Sequence, residues 1–186
     1  MKNIDTKKLT ISAIMIALAT VLSLIKVWEM PLGGSITLLS MLPICLVAIT
    51  YGTKWGLACS FVYALGQLAL SIAAVVSWGL TPLSLAGTIL LDYIVPFTLL
   101  GLSGVFRNKG IWGSVIGISL SLVLRFICHF ISGVIIFDIW CEWNSVPLYS
   151  FCYNGTFMLP ELILTVFGAF FVLKSSAIKK LVENKN

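Results

Sequence analysis

Long apolar blocks separated by short polar or charged breaks set the pattern of this chain. A helix that crosses a bilayer needs about 20 mainly apolar residues at about 1.5 Å rise each. Six blocks meet or approach that length and predict spans over residues 9–26, 36–51, 55–78, 83–106, 111–137 and 157–174. The first runs uncharged from Leu9 to Ile25 and closes on Lys26, whereas the second is short and contains Pro43. From Trp55 to Leu91 there is no charged residue, yet Trp78-Gly79-Leu80-Thr81-Pro82 supplies the chemistry of a turn, so this stretch reads as a helical hairpin. The first block is too long for the apolar core of a signal peptide and no small-residue cleavage site follows it, so it is expected to stay in the fold. With no repeat or long linker, residues 1–186 read as one all-α integral membrane domain of six transmembrane helices.

Composition sharpens this. The chain is 59% hydrophobic and 10% charged, with a mean hydropathy of +1.06, whereas a soluble domain carries about 25% charged residues. Soluble enzymes, disordered tails and DNA-binding domains are excluded on that ground. The net charge of +5 follows from topology. If both termini are cytoplasmic, the inner segments hold Lys2, Lys7, Lys8, Lys54, Arg107, Lys109, Lys174, Lys179, Lys180 and Lys185, and the outer ones hold only Lys26. The basic residues thus fit retention at the cytoplasmic face and attraction to anionic membrane lipid, with no nucleic-acid partner. The outer loops are acidic and aromatic, with Glu29, Asp138, Trp140, Glu142 and Trp143.

Ionisable groups inside spans are costly and mark pathways or sites. Four occur: Asp92 in the fourth span, Arg125 and His129 in the fifth, and Glu161 at the start of the sixth. Counted from the outer ends of their spans, Asp92 lies about 14 Å deep and His129 about 12 Å, one level in the outer half of the membrane. Arg125, His129, Gly133 and Phe137 recur every four residues and form one stripe. Gly133 leaves a gap where a flat ring can approach the backbone, and Gln67, Tyr93, Tyr149 and Asn154 offer further hydrogen-bonding groups. The competing structural reading is a buried Asp92–Arg125 ion pair with His129 on a carbonyl. Against it, two carboxylates for one fixed cation suit a cationic ligand, as do aromatic walls.

Other motifs carry less. Gly101-Leu102-Ser103-Gly104 matches an intramembrane serine protease pattern, but Ser103 lies about 30 Å from the outer surface and His129 about 12 Å. They cannot pair as nucleophile and base, and helix packing is the expected role of these small residues. Gly52-x-x-x-Gly56 and Gly113-x-x-x-Gly117 belong to the same class, and the stripe Ala13, Ala17, Val21 reads as packing within the chain. Of five cysteines, Cys141 and Cys152 fall in the last outer loop; a disulfide and inert thiols both stay open, with thiols favoured. Asn154-Gly155-Thr156 is formally a glycosylation acceptor of little weight. There is no metal-ligand spacing and no phosphate loop, so an enzyme is not expected and any uphill transport draws its energy from a partner or a gradient.

Taken in order, Pro31-Leu-Gly-Gly-Ser-Ile-Thr, Leu42-Pro43, Tyr51-Gly-x-Lys-x-Gly56, Leu91-Asp92-Tyr93, Gly101-Leu-x-Gly104-x-Phe-Arg107, Arg125-Phe-x-x-His129-x-x-x-Gly133 and Tyr149-x-x-x-Tyr153-Asn154-Gly155 resemble the thiamine-specific substrate-binding (S) component of energy-coupling factor (ECF) transporters. The resemblance covers nearly the whole chain. It implies a six-helix protein of a bacterial plasma membrane that captures thiamine from outside. Its implied partners are an ECF transmembrane coupling subunit and two cytoplasmic ATPase subunits, which use the ATP; no cofactor is implied.

Carried over, the family's substrate-binding residues fall on Asp92, Tyr93, His129, Gly133, Tyr149 and Asn154, and its coupling-subunit contact on Ala13 and Ala17. Two family tryptophans depart: one is Phe137 here and the other falls at Gly34, with Trp28, Trp140 or Trp143 as candidate replacements. Glu161 has no counterpart in the pattern. The Gly-rich loop from Trp28 to Thr37 reads as a lid. The rival readings are an S component for another vitamin or a thiamine precursor, and a small proton-coupled cation antiporter.

Overall fold

The structure, a computed structural model, describes residues 6–175. Lys2, Lys179, Lys180 and Lys185 of the basic inner set lie outside the described residues. Five helices are long and apolar enough to cross a membrane: Thr6–Leu24, Thr53–Ser77, Pro82–Gly104, the Arg107–Ile135 segment and Val146–Lys174. They are the first, third, fourth, fifth and sixth of the bundle. Between the first and third lies a hairpin of two short antiparallel strands, Lys26–Glu29 and Ser35–Thr37, followed by a second helix, Leu42–Tyr51.

That second helix corrects the expected span over 36–51. Its ten residues rise about 15 Å, half the thickness of a hydrocarbon core. Ile36 and Thr37 are strand, and Pro43 sits in the first helical turn, where its missing N–H costs nothing. Every residue from Leu42 to Ile49 is buried, so the helix is wrapped by its neighbours and its apolar sequence reflects protein contact rather than lipid. Close approach makes this wrapping tight. A side chain at Gly56 would strike Ala48, one at Gly104 the Ala48 carbonyl, and one at Gly101 the Leu57 backbone. The small residues around Ser103 therefore serve packing, as expected, and Ser103 Oγ bonds Ser121 Oγ at 2.9 Å, not His129.

The fourth helix is irregular where Asp92 sits. Pro96 has no N–H to offer the Asp92 carbonyl, and residues Ile89–Ile94 form a π-helical turn in which Val95 N–H reaches back to Leu90 O. Such turns shift the register of side chains and recur at functional sites. Here the turn carries Asp92 and Tyr93 on the wall of the central cavity.

The sixth helix begins at Val146 rather than at residue 157, with Ser145 capping its first turn and Pro160 inside it. Tyr149, Asn154 and Cys152 are thus helical, not in a loop, and Glu161 lies mid-helix rather than at its start. The extension was hidden because its polar residues look unlike a lipid-facing span; Tyr149, Ser150, Tyr153, Asn154, Phe157 and Glu161 instead line the cavity. All five cysteines are free thiols. At one end of the bundle lie the basic residues Lys8, Lys54, Arg107, Lys109 and Lys174, and at the other the hairpin, Trp78 and the start of the sixth helix.

Gly101→Val would force Leu57 and its helix outward. Overpacking of this kind costs about 1–3 kcal/mol, and a thermal melt in detergent is expected to show a lowered midpoint; an unchanged midpoint would contradict the packing.

Candidate functional site: a capped cavity at the hairpin end

Seven residues are expected to form a site, and the fold brings all seven to one cavity: Asp92, Tyr93, His129, Gly133, Phe137, Tyr149 and Asn154. The fourth, fifth and sixth helices each supply part of it. On the fifth, the four-residue stripe works as read up to Gly133, after which the helix ends at Ile135 and Phe137 sits in a short 3-10 turn, still facing the cavity. A Cβ on Gly133 would overlap Ser150 Oγ and approach Asn154 Nδ2 at 3.2 Å, so the glycine is where the fifth and sixth helices meet.

The polar centre is a relay. His129 Nδ1 lies 2.8 Å from Asp92 Oδ1, and Ser132 Oγ donates to Asp92 Oδ2 at 2.5 Å. Arg125 Nε–H donates to His129 Nε2 at 3.2 Å. An arginine can only donate, so Nε2 is the bare nitrogen and the ring proton sits on Nδ1, facing Asp92. The Asp92–Arg125 ion pair of the competing structural reading does not form: among the described residues Asp92 pairs only with His129. The Arg125 guanidinium instead lies 4.2 Å above the Phe97 ring, with Nη1 against Met41 Sδ. Both nitrogens of His129 are engaged within the protein, one by Arg125 and one by Asp92. Asn154 Nδ2 is likewise committed, to His129 O, Ser150 O and Ser150 Oγ, which leaves its Oδ1 for a ligand. Gln67 reaches the cavity but gives its amide N–H to Ser23 Oγ at 2.9 Å.

Aromatic rings wall the cavity. Of the candidate replacements for the family tryptophans, Trp28, Trp140 and Trp143, none lines it; of the six tryptophans only Trp78 does, edge-on to Phe137 with centroids 5.7 Å apart. Sequence placed Trp78 in a turn and gave no sign that the turn folds over the site. Tyr153 and Phe157 also line the cavity; the sequence pattern leaves Tyr153 outside the span expected from residue 157 and carries no signal that turns Phe157, inside it, toward the site. Trp140 only backs Phe137, at 5.4 Å. At Gly34 the reason for the small residue is direct, since an added Cβ would meet Phe157 at 2.9 Å.

The hairpin roofs the cavity through Leu32, Gly33, Gly34 and Ser35. Leu32 and Gly33 adopt positive φ of 60° and 93° in its turn. The sixth helix grips the hairpin at two levels: Tyr153 Oη donates to Pro31 O near the tip, and Glu161 Oε1 accepts from both Thr37 N–H and Thr37 Oγ1 at the base. Asn154, buried in the helix, is no glycan acceptor. Ala13 and Ala17 lie elsewhere, on the outward face of the first helix with Ile14, Leu18 and Val21; the buried face carries Ser12, Ala19 and Ser23 instead. The small-residue stripe therefore does not pack within the chain, contrary to its expected structural role.

Residues 9–181 match the family model described as Thiamine transporter protein (Thia_YuaJ). The chain is 32% identical over 167 residues to the thiamine transporter ThiT of Bacillus subtilis (strain 168), covering 82% of each sequence. A solved structure of ThiT from Listeria monocytogenes shares the fold, with a TM-score of 0.72 over 95% of this chain and 97% of that one at 23% identity.

Because Trp78 alone of the tryptophans lines the cavity, a stacking ligand is expected to quench the intrinsic fluorescence chiefly through it. Trp78→Phe should remove most of that change, and quenching that survived the substitution would place the ligand elsewhere.

Proposed function

This chain belongs to the thiamine transporter family, a family of transporters and not of enzymes, and from that premise we propose that its capped cavity captures thiamine at the hairpin end for uptake. The observation that carries the reading is Asp92, a carboxylate held at membrane depth by His129 and Ser132 inside an aromatic enclosure. Thiamine brings a permanent thiazolium cation and a flat aminopyrimidine. The cation suits Asp92 and the Tyr93 face; Phe137 and Trp78 suit a ring, and Tyr149 with Asn154 Oδ1 offers hydrogen bonds to it. The basic end of the bundle corresponds to the cytoplasmic side, which turns the hairpin outward in a multi-pass plasma-membrane protein.

The chain has no phosphate loop, so ATP energy enters through others. It acts as the S component of an ECF-type transporter, with a transmembrane coupling subunit and two ATPases. The exposed small and aliphatic face around Ala13 and Ala17 is where the coupling subunit docks, and the hairpin is the lid that closes over the vitamin. The family match favours thiamine uptake over the antiporter reading.

Titration of the detergent-purified chain with thiamine, riboflavin and biotin is expected to show submicromolar binding of thiamine alone; silence toward thiamine would refute the reading. In the same assay Asp92→Asn is expected to weaken thiamine binding by about tenfold or more, the worth of a hydrogen-bonded charge, without unfolding. Ala13→Trp is expected to spare binding and abolish ATP-dependent uptake, whereas uptake that survived would remove the docking face.

A further inference from the structure

The same cavity is lined by two further polar side chains, Glu161 and Tyr63, which the relay does not use. Asn154 and Glu161 are seven residues apart on the sixth helix, which places Glu161 about 10 Å further from the hairpin end. Glu161 is fully buried and lines the cavity. One of its oxygens is taken twice by Thr37, but Oε2 has no hydrogen-bond partner. Tyr63, from the third helix, lines the same cavity at 0% exposure, and its hydroxyl makes no hydrogen bond, with the Ser40 and Ser23 hydroxyls close by. Two buried polar atoms left open in one cavity are unusual, since such groups are nearly always satisfied. The other charged group there, Arg125, is engaged by Phe97 and His129.

The two open atoms have complementary needs. Glu161 Oε2 requires a donor, and the Tyr63 hydroxyl can supply one. A single alcohol satisfies both at once, donating to the carboxylate and accepting from the phenol. An amine with donors only would leave Tyr63 Oη without a group to donate to. We propose that Glu161 and Tyr63 form a subsite for the hydroxyl at the end of the ligand's side arm, and thereby select the free alcohol over its phosphate esters. A phosphate in that position adds a charge of about −1.5 to −2 beside a carboxylate. The inference rests on the thiamine reading above and extends it to which form of the vitamin is taken.

The test measures the affinity of the intact chain for thiamine, for thiamine monophosphate and for an analogue in which ethyl replaces the hydroxyethyl arm, so that only the hydroxyl is lost. Glu161→Gln keeps an oxygen for Thr37 and removes the acceptor charge. It is expected to weaken thiamine by about 10- to 100-fold, the range for a hydrogen bond to a charged group. It should change the ethyl analogue little and lower the preference for thiamine over its monophosphate. Tyr63→Phe, which removes only the hydroxyl, should weaken thiamine more than the ethyl analogue and serves if the Glu161 variant does not fold. Equal losses for thiamine and the ethyl analogue would assign Glu161 to holding Thr37 and overturn the subsite, as would an unchanged preference over the monophosphate. Failure of the unsubstituted chain to bind thiamine at all would instead remove the functional reading on which the subsite rests.

Discussion

Inside a bilayer no water is at hand to satisfy a backbone amide or a charge, so each must find a partner within the protein. The hairpin half of this molecule is organised by that constraint. The chain between the first and second helices is not helical, and its strands pair with each other. Where the pairing stops, the Thr37 amide is taken up by the Glu161 carboxylate. Asp92 answers the same need through His129 and Ser132, and Arg125 through His129 and the Phe97 ring. Polar groups that would be prohibitive one by one are thus paired in two groups, Thr37 with Glu161 and Asp92 with His129, Ser132 and Arg125, and Asp92, His129, Arg125, Thr37 and Glu161 line the cavity.

The same linkage explains why the second helix is short. A full-length span would carry its chain through the hairpin end and fill the place where the cavity lies. Stopping it at Leu42 leaves residues 26–41 to fold as a roof. The sixth helix compensates by starting early, and its added turns bring Tyr149, Ser150, Tyr153 and Asn154 beneath that roof. Tyr153, Phe157 and Glu161, four residues apart on one face, then meet the hairpin at its tip, middle and base. One helix face both lines the cavity and holds its cover.

Sequence made much of this legible. Apolar blocks gave five of the helices, and ionisable residues at matched depth singled out Asp92 and His129, which do meet. What it missed has physical causes. Hydropathy cannot tell lipid from protein as the apolar surroundings, so the wrapped helix Leu42–Tyr51 read as a span. It also undervalues a helix whose polar face meets a cavity, so the first turns of the sixth helix read as loop. The partner of Arg125 and the place of Trp78 depend on contacts between distant segments, and no local pattern encodes those. The stripe Ala13, Ala17 was visible, but only the fold shows it turned outward.

A structure of the purified chain determined with saturating thiamine would decide the matter. The expected result is density for one thiamine in the capped cavity, its thiazolium against Asp92 and Tyr93 and its rings bounded by Phe137 and Trp78. Thiamine seated on another surface, or a cavity left empty at saturation, would contradict the assignment.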